Sequence, residues 1–216
     1  MSRSNRLRIT EIFYSLQGES ITSGLPTVFV RLTGCPLRCQ YCDTEYAFQG
    51  GEWQTFDEII KKVVGFGAKY VCITGGEPLA QKNCKELMVL LCDLGLNVSL
   101  ETSGALPIDD IDARVSRVMD LKTPGSGEEP KNMLTNIGLL TERDQLKFVL
   151  CSREDYDWAK AMLVKYDLIG RLEILFSVSF GQLSPQELAN WIIEDNLQVR
   201  FQMQLHKLLW DDEPGH

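Results

Sequence analysis

The sequence predicts an α/β fold, an open and incomplete (β/α) barrel, on three observations. Short β-branched runs alternate with amphipathic segments along the chain, which is the mark of parallel strands joined by right-handed crossovers. About seven such runs can be read. The chain has 216 residues, fewer than the roughly 250 that eight full strand–helix units take, and it spends many of them on loops, so a closed barrel does not fit. No internal repeat or linker-like stretch divides it, so residues 1–216 are read as a single domain.

The first core strand is 27–33 (TVFVRLT), a compact β-branched run. The stretch 34–52 after it reads as one long loop. Thr55-Phe-Asp-Glu58 is a capping box ahead of Ile59, Ile60, Val63 and Val64, so a helix starts there. Residues 70–74 (YVCIT) form a short apolar strand that ends in Gly75-Gly76. Leu87, Leu90, Leu91 and Leu94 make the stripe of an amphipathic helix. Strands follow at 97–101, 117–121 and 146–150. Ser152 caps a helix carrying Trp158, Ala161 and Met162, and 172–176 (LEILF) is again a strand. Ser184-Pro185 opens a further helix, with proline at its first position and Leu188, Trp191 and Ile192 on its inner face. Residues 198–203 close the series. The stretch 123–131 (TPGSGEEPK), poor in apolar residues, reads as a flexible loop that could act as a lid.

Composition excludes several function classes. The net charge of -8 argues against a protein that coats nucleic acid, which needs a clustered basic surface. Two histidines, His206 and His216, cannot build a multi-histidine metal site. The longest apolar run, 87–92, is far too short to span a bilayer. Met-Ser-Arg-Ser-Asn-Arg-Leu-Arg lacks the apolar core of a signal peptide. A cytoplasmic location is therefore expected, where thiols stay reduced. The seven cysteines are then free thiols or metal ligands.

Three of them stand together in Gly34-Cys35-Pro-Leu-Arg-Cys39-Gln-Tyr-Cys42, with spacing Cys-x3-Cys-x2-Cys. The loop follows a core strand, at the strand end where active sites lie in such folds. Three thiolates on a short loop can converge on a soft metal centre. A structural zinc wants four closed ligands, and no fourth Cys or His lies nearby in sequence. An iron–sulfur cubane held by three thiolates keeps one iron open for a substrate or cofactor. Cys72, Cys84, Cys92 and Cys151 lie in apolar contexts and read as buried small hydrophobes. At the end of the next strand stands Thr74-Gly75-Gly76-Glu77-Pro78, where two glycines let backbone approach a ligand and a carboxylate can take an ammonium group.

The cysteine loop with the Gly-Gly-Glu-Pro segment resembles the radical S-adenosylmethionine superfamily. The resemblance implies a 4Fe-4S cluster on Cys35, Cys39 and Cys42 whose open iron chelates S-adenosylmethionine. Reductive cleavage then yields a 5′-deoxyadenosyl radical. It also implies the superfamily's open barrel, here with reduced helices. By position, Gly76 and Glu77 would face the cofactor's amino group, and Tyr41 would lie near the adenine.

The remaining motifs narrow this. Ser15-Leu16-Gln17-Gly18-Glu19, Arg31, Asp43-Thr44, Leu100-Glu101-Thr102-Ser103-Gly104 and Met203-Gln204-Leu205-His206-Lys207 together resemble the 7-carboxy-7-deazaguanine synthase family over nearly the whole chain. That resemblance implies a carbon–nitrogen lyase of 7-deazapurine (queuosine precursor) biosynthesis. Its substrate is 6-carboxy-5,6,7,8-tetrahydropterin, which loses ammonia, and magnesium assists. Leu16, Gln17, Gly18, Glu19, Arg31 and Thr102 would contact the substrate, and Thr44 would hold Mg2+. Gly104, Asp120, Leu121 and Lys122 would face S-adenosylmethionine. A flavodoxin- or ferredoxin-type reductant and a homodimer are implied as well.

The residue chemistry agrees. Arg31 is a fork-shaped donor suited to a carboxylate, and a lone arginine in an apolar strand has a specific anionic partner. Gln17, Glu19 and Thr102 can read a pterin edge of mixed donors and acceptors. Magnesium prefers hard oxygens such as the Thr44 hydroxyl. His206 reads as a structural histidine. In some family members a C-terminal carboxylate follows the His-Lys segment closely, but here an acidic tail continues to His216, so that role is not carried over. Two rivals remain on the sequence: a glycyl-radical-enzyme activase, and a non-enzymatic iron–sulfur or zinc module.

Overall fold

The computed structural model describes residues 5–211 and 215; the readings made on residues 1–4 and on His216 lie outside them. One nine-stranded sheet runs through the molecule in the order β3-β1-β2-β4-β5-β6-β7-β8-β9. The strands are β1 (Arg6–Leu16), β2 (Pro26–Leu32), β3 (Glu52–Thr55), β4 (Tyr70–Gly75), β5 (Asn97–Thr102), β6 (Ser116–Asp120), β7 (Gln145–Leu150), β8 (Glu173–Val178) and β9 (Arg200–Gln202). From β2 to β9 every neighbouring pair is parallel. These strands are the ones read from the sequence. Because β3 and β9 are both edges, the sheet curls without closing, and the expected open barrel is what is found.

Two strands were not anticipated. β1 pairs antiparallel with β2, and β3 pairs antiparallel with β1. A register shift between Ile9 and Glu11 breaks the two-residue alternation of β1, so only Leu7 and Ile9 are buried in its apolar rhythm. β3 is Glu-Trp-Gln-Thr and has no apolar run at all. Glu52 therefore belongs to this edge strand, which corrects the reading of 34–52 as one loop.

The helices are α1 (Phe56–Gly65), α2 (Cys84–Asp93), α3 (Arg153–Lys165), α4 (Pro185–Glu194) and α5 (Leu205–Trp210). The crossover from β6 to β7 carries only 3-10 turns, which is how a short chain covers a wide sheet. The Thr55–Glu58 capping box forms: Thr55 Oγ1 accepts from Glu58 N, and the Glu58 carboxylate accepts from Thr55 N at 2.7 Å. Ser152 caps α3 by accepting from Asp155 N. Leu87 and Leu91 are buried on α2, but Leu94 is 54% exposed. Leu94 falls at the C-cap, beyond the last turn, where the helical stripe no longer points at the core.

Phe148 lies edge-on to both Phe176 and Trp158, with centroids 5.4 and 6.3 Å apart, which packs α3 against β7 and β8. Segment 123–131 is built of two 3-10 turns, Pro124–Ser126 and Glu129–Lys131, with Ser126 fully buried. Gly125 N donates to Asp155 Oδ1 at 2.8 Å, so α3 holds the segment from beneath. Among the described residues no helix is long and apolar enough to cross a membrane.

The capping box gives a direct check on this architecture. Thr55→Ala removes the cap acceptor and should destabilise the protein by about 1 kcal/mol. In a chain of this size that lowers Tm by roughly 2–4 °C. A thermal melt followed by circular dichroism measures it, and an unchanged Tm would count against the box.

Candidate active site

The carboxyl ends of the parallel strands open into one cavity of about 860 Å3. Each of its key side chains follows from strand alternation or from a strand end. Arg31 lies on β2 and faces inward, with Glu11 of β1 beside it. The cysteine loop leaves β2 at Gly34 and crosses the mouth of the cavity. Thr102 and Asp120 end β5 and β6.

Gly76 explains how the cysteine loop comes so close to β4. A Cβ there would stand 2.3 Å from Gly34 O and 2.8 Å from Cys35 Cβ, so any side chain would push the loop away. Backbone bonds fix the approach: Gly76 N donates to Leu32 O at 3.2 Å and Glu77 N to Gly34 O at 2.8 Å. Behind the cysteines, Gln40 N donates to Ser126 O and Arg38 N to Glu128 Oε1, at 3.0 and 2.7 Å. Segment 123–131 is thus a bed for the cysteine loop.

Cys35, Cys39 and Cys42 all line the cavity and are half-buried free thiols. Burial pushes their pKa values up, Cys39 to about 11, and each raises the Cys39 value further; Lys122 beside them works in the opposite direction. Among the described residues no group of three or more His, Cys, Asp or Glu side chains is arranged to hold a single metal ion. A tetrahedral zinc would need thiolates about 4 Å apart, given Zn–S bonds near 2.3 Å. A cubane is a larger body and takes its thiolates from further apart. Three half-buried thiols on one loop, all facing the cavity, are the donor set of a cluster with one iron left open.

The cavity also holds orphaned polar atoms. Tyr41 OH and Asp120 Oδ1 are buried with no hydrogen-bond partner, and both residues line it. Such atoms are rare in folded proteins and mark where a ligand is expected. Asp120 Oδ2 pairs with Lys122 Nζ at 2.9 Å, and that ammonium lies 5.6 Å from the Tyr41 ring centroid. A polar cofactor with an aromatic base suits these atoms. For magnesium, the Thr44 hydroxyl and the Asp43 carboxylate sit together as hard oxygen donors, Thr44 Oγ1 donating to Asp43 Oδ1 at 2.9 Å.

Elsewhere in the cavity Arg31 Nε donates to Glu11 Oε1 at 2.7 Å, and Tyr46 OH donates to the same oxygen at 2.8 Å. Burial opposes the charge on Arg31, but Tyr46, Glu11 and Glu101 outweigh it and raise its pKa. Phe13 and Phe29 stack at 4.9 Å and give an apolar wall. Gln17 Nε2 donates to Glu101 Oε1 at 3.4 Å, and Glu101 Oε2 accepts from Thr74 Oγ1 at 2.9 Å. Glu19 is ion-paired with Lys147 and accepts from Gln204 Nε2 at 3.0 Å; the same amide donates to Asp43 Oδ2 at 2.9 Å.

Of the residues singled out in the sequence, Leu16, Gln17, Gly18, Glu19, Arg31, Cys35, Cys39, Tyr41, Cys42, Thr44, Gly76, Thr102, Asp120 and Lys122 line this cavity. Three do not. The Glu77 side chain is fully buried and turned into the protein. Its carboxylate accepts from Leu79 N, from Thr102 Oγ1, and from Ser103 N and Oγ, so it clamps the loop after β5. Leu121 is core, with its N–H on Lys147 O at 2.9 Å. Gly104 makes a left-handed turn at φ +69°, its carbonyl accepting from Met133 N and Asn136 Nδ2.

Cys72, Cys84 and Cys92 are buried as expected, but Cys151 is only half-buried. It follows the end of β7 and accepts weakly from Gln40 Nε2 at 3.5 Å, beside the cysteine loop. His206 lines the cavity against Gly18, and burial lowers its pKa against the pull of Glu19 and Asp43. Sequence reasoning missed Lys147 and Glu11. Lys147 carries the same signal that exposed Arg31, a lone cation in an apolar strand.

Residues 29–119 match the model of the radical SAM superfamily. The 7-carboxy-7-deazaguanine synthase of Chlorobaculum tepidum is 45% identical over 99% of this chain and 98% of its own length. That of Koribacter versatilis is 40% identical over 96% and 98%. In fold, the crystal structure of QueE from Escherichia coli superposes with a TM-score of 0.75 at 23% identity, covering 92% of this chain and 94% of that one. The chain belongs to the 7-carboxy-7-deazaguanine synthase family, within the radical S-adenosylmethionine superfamily.

Proposed function

We propose that this protein converts 6-carboxy-5,6,7,8-tetrahydropterin to 7-carboxy-7-deazaguanine with loss of ammonia, a step of 7-deazapurine biosynthesis. The observation that carries this reading is one cavity that gathers three half-buried thiols and a buried guanidinium. Cys35, Cys39 and Cys42 hold a 4Fe-4S cluster, and Tyr41, Gly76, Asp120 and Lys122 hold S-adenosylmethionine. When bound, these groups supply hydrogen-atom abstraction from the substrate's carbon.

The chain's own work is binding and exclusion of water. Glu11 occupies only Nε of Arg31, which leaves the Nη groups for the substrate carboxylate. The Phe13–Phe29 pair offers a flat apolar wall to the bicyclic ring. Gln17, Glu19 and Thr102, with Leu16 and Gly18, surround its donor and acceptor edge. Thr44 holds Mg2+ next to the cysteine loop. A cytoplasmic location, a flavodoxin- or ferredoxin-type reductant and a homodimer complete the reading by family resemblance.

The activase alternative requires a protein substrate, and a cavity with a part-buried Arg31–Glu11 pair is better suited to a small anion. Arg31→Ala should raise KM for the carboxy-tetrahydropterin by roughly a hundredfold, the scale of losing a charged hydrogen-bond pair. Unchanged turnover in steady-state kinetics would sink the substrate assignment.

Cys35→Ala should purify anaerobically with iron and labile sulfide reduced to near background, while the parent protein carries about four of each per chain. Zinc without sulfide in the parent would overturn the cluster. Glu77→Gln leaves one donor of the clamp unanswered, and should cost about 1–3 kcal/mol of stability. Chemical denaturation measures it, and a wild-type midpoint would show that the clamp does not matter.

A further inference from the structure

Lys147 is a mostly buried cation on the cavity wall that has no part in the binding scheme above. It is the third residue of β7, where Leu146, Phe148 and Leu150 turn into the core and the alternate positions Lys147 and Val149 face the cavity. Its side chain is only 14% exposed, and its ion-pair partner Glu19 is 13% exposed. A lysine so placed carries a large desolvation penalty, and a strand residue there could have been apolar at lower cost.

The surroundings show what the charge does. Burial lowers the Lys147 pKa, but the carboxylates of Glu19, Asp120 and Glu101 outweigh it, so the ammonium stays charged. These three carboxylates stand on the loop after β1 and on the ends of β6 and β5, and Lys147 faces all three, with Lys122 also paired to Asp120. Glu19 is held from two sides, by Lys147 on one oxygen and by Gln204 Nε2 on the other. Its backbone N–H is tied to Gln17 Oε1 at 3.2 Å, which couples its orientation to that of the neighbouring amide.

We infer that Lys147 is a positioning residue: it fixes the Glu19 carboxylate, aimed into the cavity, as the acceptor for an amino or ring N–H group on the substrate's edge. This rests on the pterin reading above. A guanidine-like edge presents adjacent N–H donors, and an ionised carboxylate in fixed orientation is the acceptor that matches it. Without Lys147 the Glu19 carboxylate would keep only the Gln204 amide and its neighbour Gln17 as partners and would be free to swing away.

The test uses the anaerobically reconstituted holoenzyme with S-adenosylmethionine and without reductant, so that 6-carboxy-5,6,7,8-tetrahydropterin binds and is not turned over. Calorimetry gives Kd for the wild type, Lys147→Met, Lys147→Arg, Glu19→Gln and the Glu19→Gln/Lys147→Met pair. Lys147→Met should weaken binding by on the order of ten- to a hundredfold, and Lys147→Arg should restore most of it. In the Glu19→Gln background Lys147→Met should add less than about twofold, because the carboxylate it positions is already gone. In turnover assays KM should rise far more than kcat falls, with iron content and Tm near those of the wild type.

Full additivity of the two substitutions, or a loss that Lys147→Arg does not rescue, would overturn the positioning role. Unchanged binding by Lys147→Met, with wild type and Glu19→Gln behaving as expected, would overturn it alone. Failure of the wild type itself to bind the pterin would remove the substrate reading and this inference with it.

Discussion

The architecture of the site depends on one buried carboxylate. Glu77 sits at the end of β4 with no exposure to solvent, a costly place for a charge. It is satisfied by Leu79 N, Thr102 Oγ1, Ser103 N and Ser103 Oγ, at 2.5–3.0 Å. Thr102 ends β5 and Ser103 follows it, while Leu79 lies in the turn that follows Glu77 itself. The carboxylate therefore welds the carboxyl ends of two adjacent parallel strands. Its own backbone N–H ties in a third, through Gly34 O at the exit of β2. The cysteine loop departs from that point, so its place over the cavity is inherited from the weld.

This arrangement clarifies the Gly-Gly-Glu-Pro segment. Gly76 is flush against the cysteine loop because a Cβ would collide with it. Pro78 starts a 3-10 turn, and Glu77 is its N-cap, accepting from Leu79 N. An acidic residue ahead of Pro at a helix start is a capping signature that the sequence carries. In the folded chain the glycine meets the cavity while the glutamate holds the frame.

The seven parallel strands were legible because each is a short apolar run between turn residues. β1 and β3 were not, since they lie where the sheet is exposed on one side and the alternation is interrupted at Ile9/Glu11. In the site, the thiols and Arg31 were legible from local spacing and from a charge out of place in an apolar strand. Which side chains meet across the cavity was not. Glu19 reaches Lys147, 128 positions away, and Gln204 joins Glu19 to Asp43 from the far end of the chain. Those pairings are set by the curl of the sheet, which brings β7 and the segment after β9 over the loop after β1. Cys151 is only half-buried for a related reason: an apolar strand precedes it, but that strand ends at Leu150 and the chain turns at Ser152 into α3.

The electrostatics of the cavity resolve the tension between a net charge of -8 and an anionic substrate. Four cations line it, and each has a carboxylate: Arg31 with Glu11, Lys122 with Asp120, Lys147 with Glu19, and Lys207 with Asp43. The pairs differ in what they leave over. Arg31 spends one nitrogen on Glu11 and keeps a fork of donors for an incoming carboxylate. Lys122 leaves Asp120 Oδ1 without a partner, an acceptor for a donor-bearing ligand. Lys147 leaves Glu19 as an oriented acceptor. The cavity is therefore polarised at short range, offering donors at Arg31 and acceptors at Asp120 and Glu19. Recognition of this kind depends on fixed geometry more than on net field, since screening at physiological salt removes the long-range part within about 8 Å. An acidic protein can in this way hold an anion, provided that its buried cations are each paired incompletely.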